Sequence, residues 1–322
     1  MKIQKMYSTI DVHVAGEAFR IIKDVPFIHY QNLKQLNKQL SHVFLEEIKL
    51  LLNEPRGFAG INGCLIIPPV NQEADAAVIF LNHEGTVPLH YGGIVAVITA
   101  LLECGYLQSR TSNKYKIETV SGMIPVTATI ENDEVISVLI ESEPCQVTHV
   151  NIPLPYEHLN SRFSLVQADQ LYAVFEKCDT FAKIRIEELS KLKKWGKTVL
   201  QSLKSKTPVK SIILMDDSHL EEKRIKTITF RNDEYIVRSP GFGSTMACYT
   251  SLLSTSLLSN SRLYMESSFI NESIFDSSLT VQFAKQTESG YKFTLASRGF
   301  ITGMQKFILD PTDPLPTGFL LK

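Results

Sequence analysis

Leu89-His90-Tyr91-Gly92-Gly93-Ile94-Val95-Ala96-Val97-Ile98-Thr99-Ala100-Leu101-Leu102-Glu103-Cys104-Gly105 is the stretch on which the fold turns. Its apolar run has no polar face, which predicts a buried helix over residues 93–104 that opens from glycines and stops at Gly105 as its C′ residue. A second stretch, Pro240-Gly241-Phe242-Gly243-Ser244-Thr245, opens another mostly apolar helix, predicted over residues 244–258. Each follows a β-rich segment, and the two lie about 150 residues apart. Two strand–glycine–helix units at that spacing imply two related α/β halves facing each other across a cleft.

The rest of the chain agrees with a two-domain protein. It has 322 residues, enough for two domains of about 150 each. Apolar residues make up 44% and charged residues 21%, a globular balance that excludes a disordered, collagenous or coiled-coil chain. The net charge of −1 leaves no field to draw nucleic acid or an anionic membrane. The longest apolar run, Ile94–Leu102, is far short of the ~20 residues that a spanning helix needs, and Met1–Asp11 turns polar at once, unlike a signal peptide. Five dispersed cysteines (Cys64, Cys104, Cys145, Cys178, Cys248) have no metal-ligand spacing. They fit reduced thiols in a cytoplasmic protein with no disulfide frame and no zinc site.

Strand patterns fall at Thr9–Val14, Phe19–Lys23, Cys64–Ile67, Ala77–Leu81, Ile124–Ile130, Val135–Glu141, Ile212–Met215, Thr227–Phe230 and Phe293–Ala296. Glu131-Asn132-Asp133 and Arg231-Asn232-Asp233-Glu234 mark turns. Leu33, Leu36, Leu40, Phe44, Ile48 and Leu51 recur at three- and four-residue steps, which predicts one amphipathic helix over 31–53. Residues 183–204 carry lysines around Ile186, Leu189, Leu192, Val199 and Leu203, reading as a helix with a solvated face.

Glycine-opened helices leave backbone N–H groups and a partial positive charge at their N-termini, so a carboxylate or phosphate can approach closely. The alternative is that the glycines only let a buried helix start tightly. Neither turn matches GxxxxGK[ST] and no GxGxxG is present, which argues against nucleotide binding.

With those turns, the sequence resembles the proline racemase family, whose fold is that of diaminopimelate epimerase. Asp11-Val12-His13-Val14-Ala15-Gly16-Glu17-Ala18-Phe19-Arg20 is similar to the family's opening DxHTxGxPxR, and Glu54-Pro55-Arg56-Gly57 to its EPRG. Arg238-Ser239-Pro240 matches part of DRSPCGTGT. Ile301-Thr302-Gly303 and the segment Asp310 to Phe319 resemble its closing pattern. The resemblance implies an α/β (α+β) fold of two pseudo-symmetric epimerase-like domains, each a bent sheet around a central helix. The expected domains are 1–145 with 300–322, and 146–299. It also implies a cofactor-independent, homodimeric protein whose ligand is a small amino acid or carboxylate. Family members hold the carboxylate at the helix N-termini and use one cysteine on each face of Cα, as base and as acid.

Both cysteines are replaced in this chain. MCGHxxI falls on residues 89–95, putting His90 at the first cysteine and Gly92 at the family histidine. DRSPCGTGT falls on residues 237–245, putting Gly241 at the second cysteine and Val237 at the aspartate that would hold the amine. Cys248 is about two helical turns past Gly241 and cannot stand in for it. Gly92, Gly93, Gly243, Ser244 and Thr245 keep backbone N–H groups and hydroxyls for an anion. Three readings follow: a degenerate member without two-cysteine racemase or epimerase activity, which retains a carboxylate-binding cleft; an amino-acid racemase, epimerase or hydroxyproline dehydratase using His90 as base; and a structural protein pairing with an active relative. His90 is otherwise a hydrogen-bonded structural histidine, and His13 and the His83-Glu84 pair carry no catalytic spacing.

Overall fold

The computed structural model describes residues 5–24, 29–40, 42–154, 162–177, 182–204, 207–254, 268–310 and 312–321. The chain divides into one compact unit of residues 1–140 with 297–322 and a second of 141–296. The first unit runs β1 (Lys5–Val14), β2 (Glu17–Ile22), α1 (Leu33–Gln39), α2 (His42–Leu50), β3 (Asn62–Ile67), β4 (Ala76–Asn82), β5 (Gly85–Val87), α3 (Tyr91–Glu103), β6 (Lys114–Thr119), β7 (Gly122–Glu131) and β8 (Glu134–Glu141). The second runs β9 (Gln146–Pro153), β10 (Arg162–Gln167), β11 (Leu171–Glu176), α4 (Leu189–Leu203), β12 (Ser211–Asp216), β13 (Arg224–Arg231), α5 (Phe242–Ser254), β14 (Ser268–Ser273), β15 (Ser278–Thr287) and β16 (Gly290–Ser297). The chain then returns to the first unit as β17 (Gly299–Leu309).

Strand pairing shows the internal repeat directly. In the first unit the order is β17-β1-β2-β3-β4-β6-β7-β8, and β2–β3 and β4–β6 are the parallel pairs. In the second it is β9-β10-β11-β12-β13-β14-β15-β16, with β11–β12 and β13–β14 parallel at the same two places. Parallel neighbours require a crossover, and helices supply one at each place. α1 and α2 join β2 to β3 as α4 joins β11 to β12; α3 precedes β6 as α5 precedes β14.

The two central helices are buried on all sides, as their composition predicts. Tyr91 to Leu101 of α3 and Phe242 to Leu253 of α5 are all buried. α3 packs on β17, β1, β2 and β3, and α5 on β9, β10, β11 and β15. Gly105 follows α3 with φ +73°, the left-handed residue expected there. Asn132 and Asp133, both at positive φ, close the β7–β8 hairpin where the turn signal stands. No helix among the described residues is long and apolar enough to cross a membrane.

Two helix expectations need correction, and a third runs partly outside the described residues. The single helix over 31–53 is two, because the backbone leaves helical geometry at Leu40 (φ −54°, ψ 110°). A straight helix of that length would span about 34 Å. The break keeps Leu36, Leu40, Phe44 and Ile48 on one core with Ile22, Leu65 and Ile79 of the sheet. The helix over 183–204 starts late, as a 3₁₀ turn at Ile186–Glu188 that leads into α4 and leaves Ile186 54% exposed. Residues 255–258 of the expected 244–258 helix, Cys178 and His158 lie outside the described residues.

The sequence pattern marks nine of the seventeen strands found among the described residues. Among those it misses, β9 and β17 expose most of their side chains, so apolar alternation is weak and pairing with neighbours defines them.

Candidate functional site

In the first unit, the opening motif forms the floor on which the α3 turn stands. Arg20 is 3% exposed and grips Asp11 with two hydrogen bonds, Nε to Oδ1 at 2.8 Å and Nη2 to Oδ2 at 2.6 Å. Its Nη1 donates to the carbonyls of Leu51 and Arg56, so Arg20 ties β1 to the Glu54–Gly57 segment. That segment in turn receives the C-terminal residues. Glu54 pairs with Phe319 through both backbone groups, and Arg56 Nη2 donates to Asp313 at 2.7 Å. Motifs at opposite ends of the sequence are thus one structural assembly.

His90 is the N-cap of α3. Its Nδ1 accepts the Gly93 N–H at 3.3 Å, and its Nε2 lies 3.3 Å from Glu17 Oε1, which also accepts from Asn62 Nδ2 at 3.0 Å. An Nδ1 that accepts carries no proton, so the pairing selects the neutral tautomer with Nε2–H directed at Glu17. The ring sits edge-on to Phe19 with centroids 5.0 Å apart. Gly92 and Gly93 are explained by the same packing: a Cβ on Gly92 would lie 2.9 Å from Phe19 Cζ, and one on Gly93 2.6 Å from Phe80 Cε1. Aromatic rings occupy the space that side chains at 92 and 93 would need.

The corresponding turn of the second unit is built differently. Gly241 has φ +73°, a conformation that favours glycine. Its N–H donates to Ser239 Oγ at 3.0 Å, and its carbonyl accepts both the N–H and the hydroxyl of Thr245. Val237 Cγ1 is 3.8 Å from where a Gly241 Cβ would be, so positions 237 and 241 adjoin. Ser244 Oγ accepts from Thr229, and Thr245 Oγ1 accepts from Asn271 at 2.9 Å. Both hydroxyls are therefore held in a buried polar network. The N–H groups of Phe242, Gly243 and Ser244, in the first turn of α5, have no intrahelical acceptor, which is the ordinary basis of anion attraction there.

Sequence reasoning does not find Asp169. A Cβ on Gly243 would lie 2.0 Å from Asp169 Oδ1 and 2.3 Å from the Tyr172 hydroxyl. Tyr172 donates to that same carboxylate oxygen at 2.9 Å. Burial, then the negative Asp169, raise the Tyr172 pKa well above its usual value, so the phenol stays protonated as a donor. The chain thus places a carboxylate of its own against the first turn of α5. Gly243 is the visible clue, since only glycine admits that approach; Asp169 itself lies about 70 residues away in sequence with no motif around it.

No described cysteine takes part in either turn. Cys64, Cys145 and Cys248 are buried, and burial pushes their thiols far above the ordinary range. Cys104 caps the far end of α3. His13 stacks on Phe300 at 5.1 Å, and His83 Nδ1 meets Asn53 Oδ1 at 3.2 Å.

The proline racemase profile matches residues 9–320. The chain belongs to the proline racemase family. It is 30% identical to a trans-3-hydroxy-L-proline dehydratase of Bacillus cereus over the full length of both proteins. It is 24% identical to a proline racemase of Acetoanaerobium sticklandii over 99% of each. Its fold is similar to that of a hydroxyproline epimerase from Agrobacterium vitis, solved with bound trans-4-hydroxy-L-proline, with a TM-score of 0.86, 24% identity, and coverage of 100% of this chain and 96% of the other. Within this proline racemase family member, the profile match extends over nearly the whole chain, from the β1 motif to the C-terminal segment that pairs with Glu54.

Proposed function

We propose that this family member does not carry out two-cysteine racemisation or epimerisation, and that it binds a small amino acid or related carboxylate at the glycine turn of α5. The observation that carries this reading is that position 241 is a glycine at φ +73°, with no side chain to move a proton, on a turn whose N–H groups still favour an anion. Racemisation needs a proton donor and acceptor on opposite faces of Cα. Cytoplasmic residence and a homodimer belong to the same reading; the free thiols of the four described cysteines, three of them buried, support the first.

The test is deuterium incorporation at Cα, followed by NMR in D₂O with both enantiomers of proline, 4-hydroxyproline and 3-hydroxyproline. The expected result is no incorporation above background. A second reading is elimination of water from a 3-hydroxyproline, favoured by the similarity to a dehydratase at 30% identity. It needs one base, and His90 could act only after turning Nδ1 away from Gly93. Under that reading the 3-hydroxy substrate disappears and His90→Ala abolishes its loss. Under the first, His90→Ala changes no turnover and lowers stability by about 1 kcal/mol through the lost cap.

Asp169 supplies the ligand's ammonium with the counter-charge that Val237 cannot. Asp169 is solvent-exposed, so screening limits its contribution to about 1 kcal/mol, roughly fivefold in affinity. Calorimetric titration of Asp169→Asn is expected to show proline binding weakened about that much, and cyclopentanecarboxylate, which has no amine, unchanged. Tighter binding of both ligands would show instead that Asp169 only repels carboxylates.

A further inference from the structure

The second unit contains a cavity of about 530 Å³ at the ends of β11, β12 and β13, unconnected with the residues of the α5 turn. Its floor is the buried pair Ile184 and Ile225. Five cationic side chains line it (Lys177, Lys183, Arg185, Arg224 and Lys226) against two carboxylates, Asp216 and Glu272. This excess stands out in a chain whose net charge is −1.

The two acids are already engaged, each by one cation. Lys177 Nζ is 3.3 Å from Asp216, in a pair with side chains only 11% and 18% exposed, and Arg224 is hydrogen-bonded to Glu272. Arg224 and Lys226 alternate on β13 and so point to the same face. Among the described residues Lys226 pairs with Asp276 alone, whose side chain is 83% exposed and whose attraction solvent screens. Arg185 contacts Glu187 and Glu188 loosely, at 3.8 and 3.5 Å. Lys183 makes no ion pair among the described residues. Three cations therefore remain available around an apolar floor, in a volume typical of a small-molecule site.

We propose that this pocket binds a compact polyanion of the phosphate class, either an organic phosphate ester or inorganic diphosphate. Guanidinium groups and ammonium groups together suit a tetrahedral anion carrying two or more charges. The lining contains no Phe, Tyr or Trp and is dominated by cations, so the anionic group is what the pocket recognises. The proposal is independent of the reading of the α5 turn.

Calorimetric titration with pyrophosphate at ~150 mM ionic strength tests it, because nonspecific attraction between exposed charges is largely screened there. Saturable one-to-one binding is expected, weakened at least about tenfold in the Lys183→Ala, Lys226→Ala double variant and more by Lys183→Glu. Lys116→Ala, which removes an exposed cation of the first unit, is expected to bind like the parent protein. Because Lys183 and Lys226 support no core residue, all variants should keep the parent's unfolding midpoint. Displacement of pyrophosphate by ribose 5-phosphate identifies an organic ester as the ligand source, and resistance to displacement identifies inorganic diphosphate; both support the site. Binding that fails to saturate, or that survives the double variant and Lys183→Glu unchanged, overturns it.

Discussion

Arg20→Met is expected to destabilise the first unit by roughly 3–5 kcal/mol, the range for removing one partner of a buried ion pair. Arg20 and Asp11 are 3% and 14% exposed at their side chains. Methionine would leave the Asp11 carboxylate, among the described residues, with Gln305 Nε2 at 3.2 Å as its one side-chain donor. It would also strip the Leu51 and Arg56 carbonyls of the guanidinium that joins them to β1. The cation stacked over the Phe307 ring, 4.4 Å from its centroid, goes as well. Because the unit contains β17 from the far end of the chain, the loss should appear as one cooperative shift in a urea unfolding curve. A change below about 1 kcal/mol would mean that Asp11 is solvated well enough to stand alone, contrary to its burial. Replacing Arg20 and Asp11 together by methionine and leucine should cost much less than Arg20→Met alone, since no uncompensated charge remains.

Restoring the family residues at four positions together, with His90→Cys, Gly92→His, Val237→Asp and Gly241→Cys, is expected to yield a less stable protein that still shows no Cα exchange. At positions 92 and 241 the turns leave little room for a side chain. A histidine at 92 would start from a Cβ 2.9 Å from Phe19 Cζ, and Phe19 is 0% exposed. Overpacking of that kind costs roughly 1–3 kcal/mol. A cysteine at 241 would have to adopt φ +73°, at about 1–2 kcal/mol, with Ser244 Oγ 3.1 Å from its Cβ. A turn that relaxed to avoid that strain would give up the Thr245 bonds to the Gly241 carbonyl. Deuterium at Cα of proline and the urea midpoint are the two readouts. Exchange above the parent level would show that both turns keep the geometry of an active relative and that chemistry was lost through side chains alone.

The sequence carried the fold a long way because burial leaves a strong trace in composition. An apolar run with no polar face, as at Ile94–Leu102, can only be an interior helix, and two of them behind glycine turns imply a repeat. The eight-strand order shared by both units bears that out. The end-to-end motifs were legible for a related reason: Arg20, Glu54–Gly57 and Asp313 are held to one another in space, so each needs a specific residue type. Strands such as β9 and β17, whose side chains face mostly outward, were not legible, because hydrogen bonds to neighbours define them and no periodicity records that.

At the candidate site the division is sharper. Sequence alone determined that positions 90 and 241 hold histidine and glycine, the residues on which the proposed reading rests. Only tertiary structure decided what stands there instead. His90 faces Glu17 and Gly93 because β2 brings Glu17 beside the α3 turn. Gly92 and Gly93 owe their lack of side chains to Phe19 and Phe80, on two different strands. Asp169 reaches the α5 turn from the end of β10. Contacts of this kind join residues far apart in sequence, and their energies depend on distances of a few ångströms that local pattern does not encode.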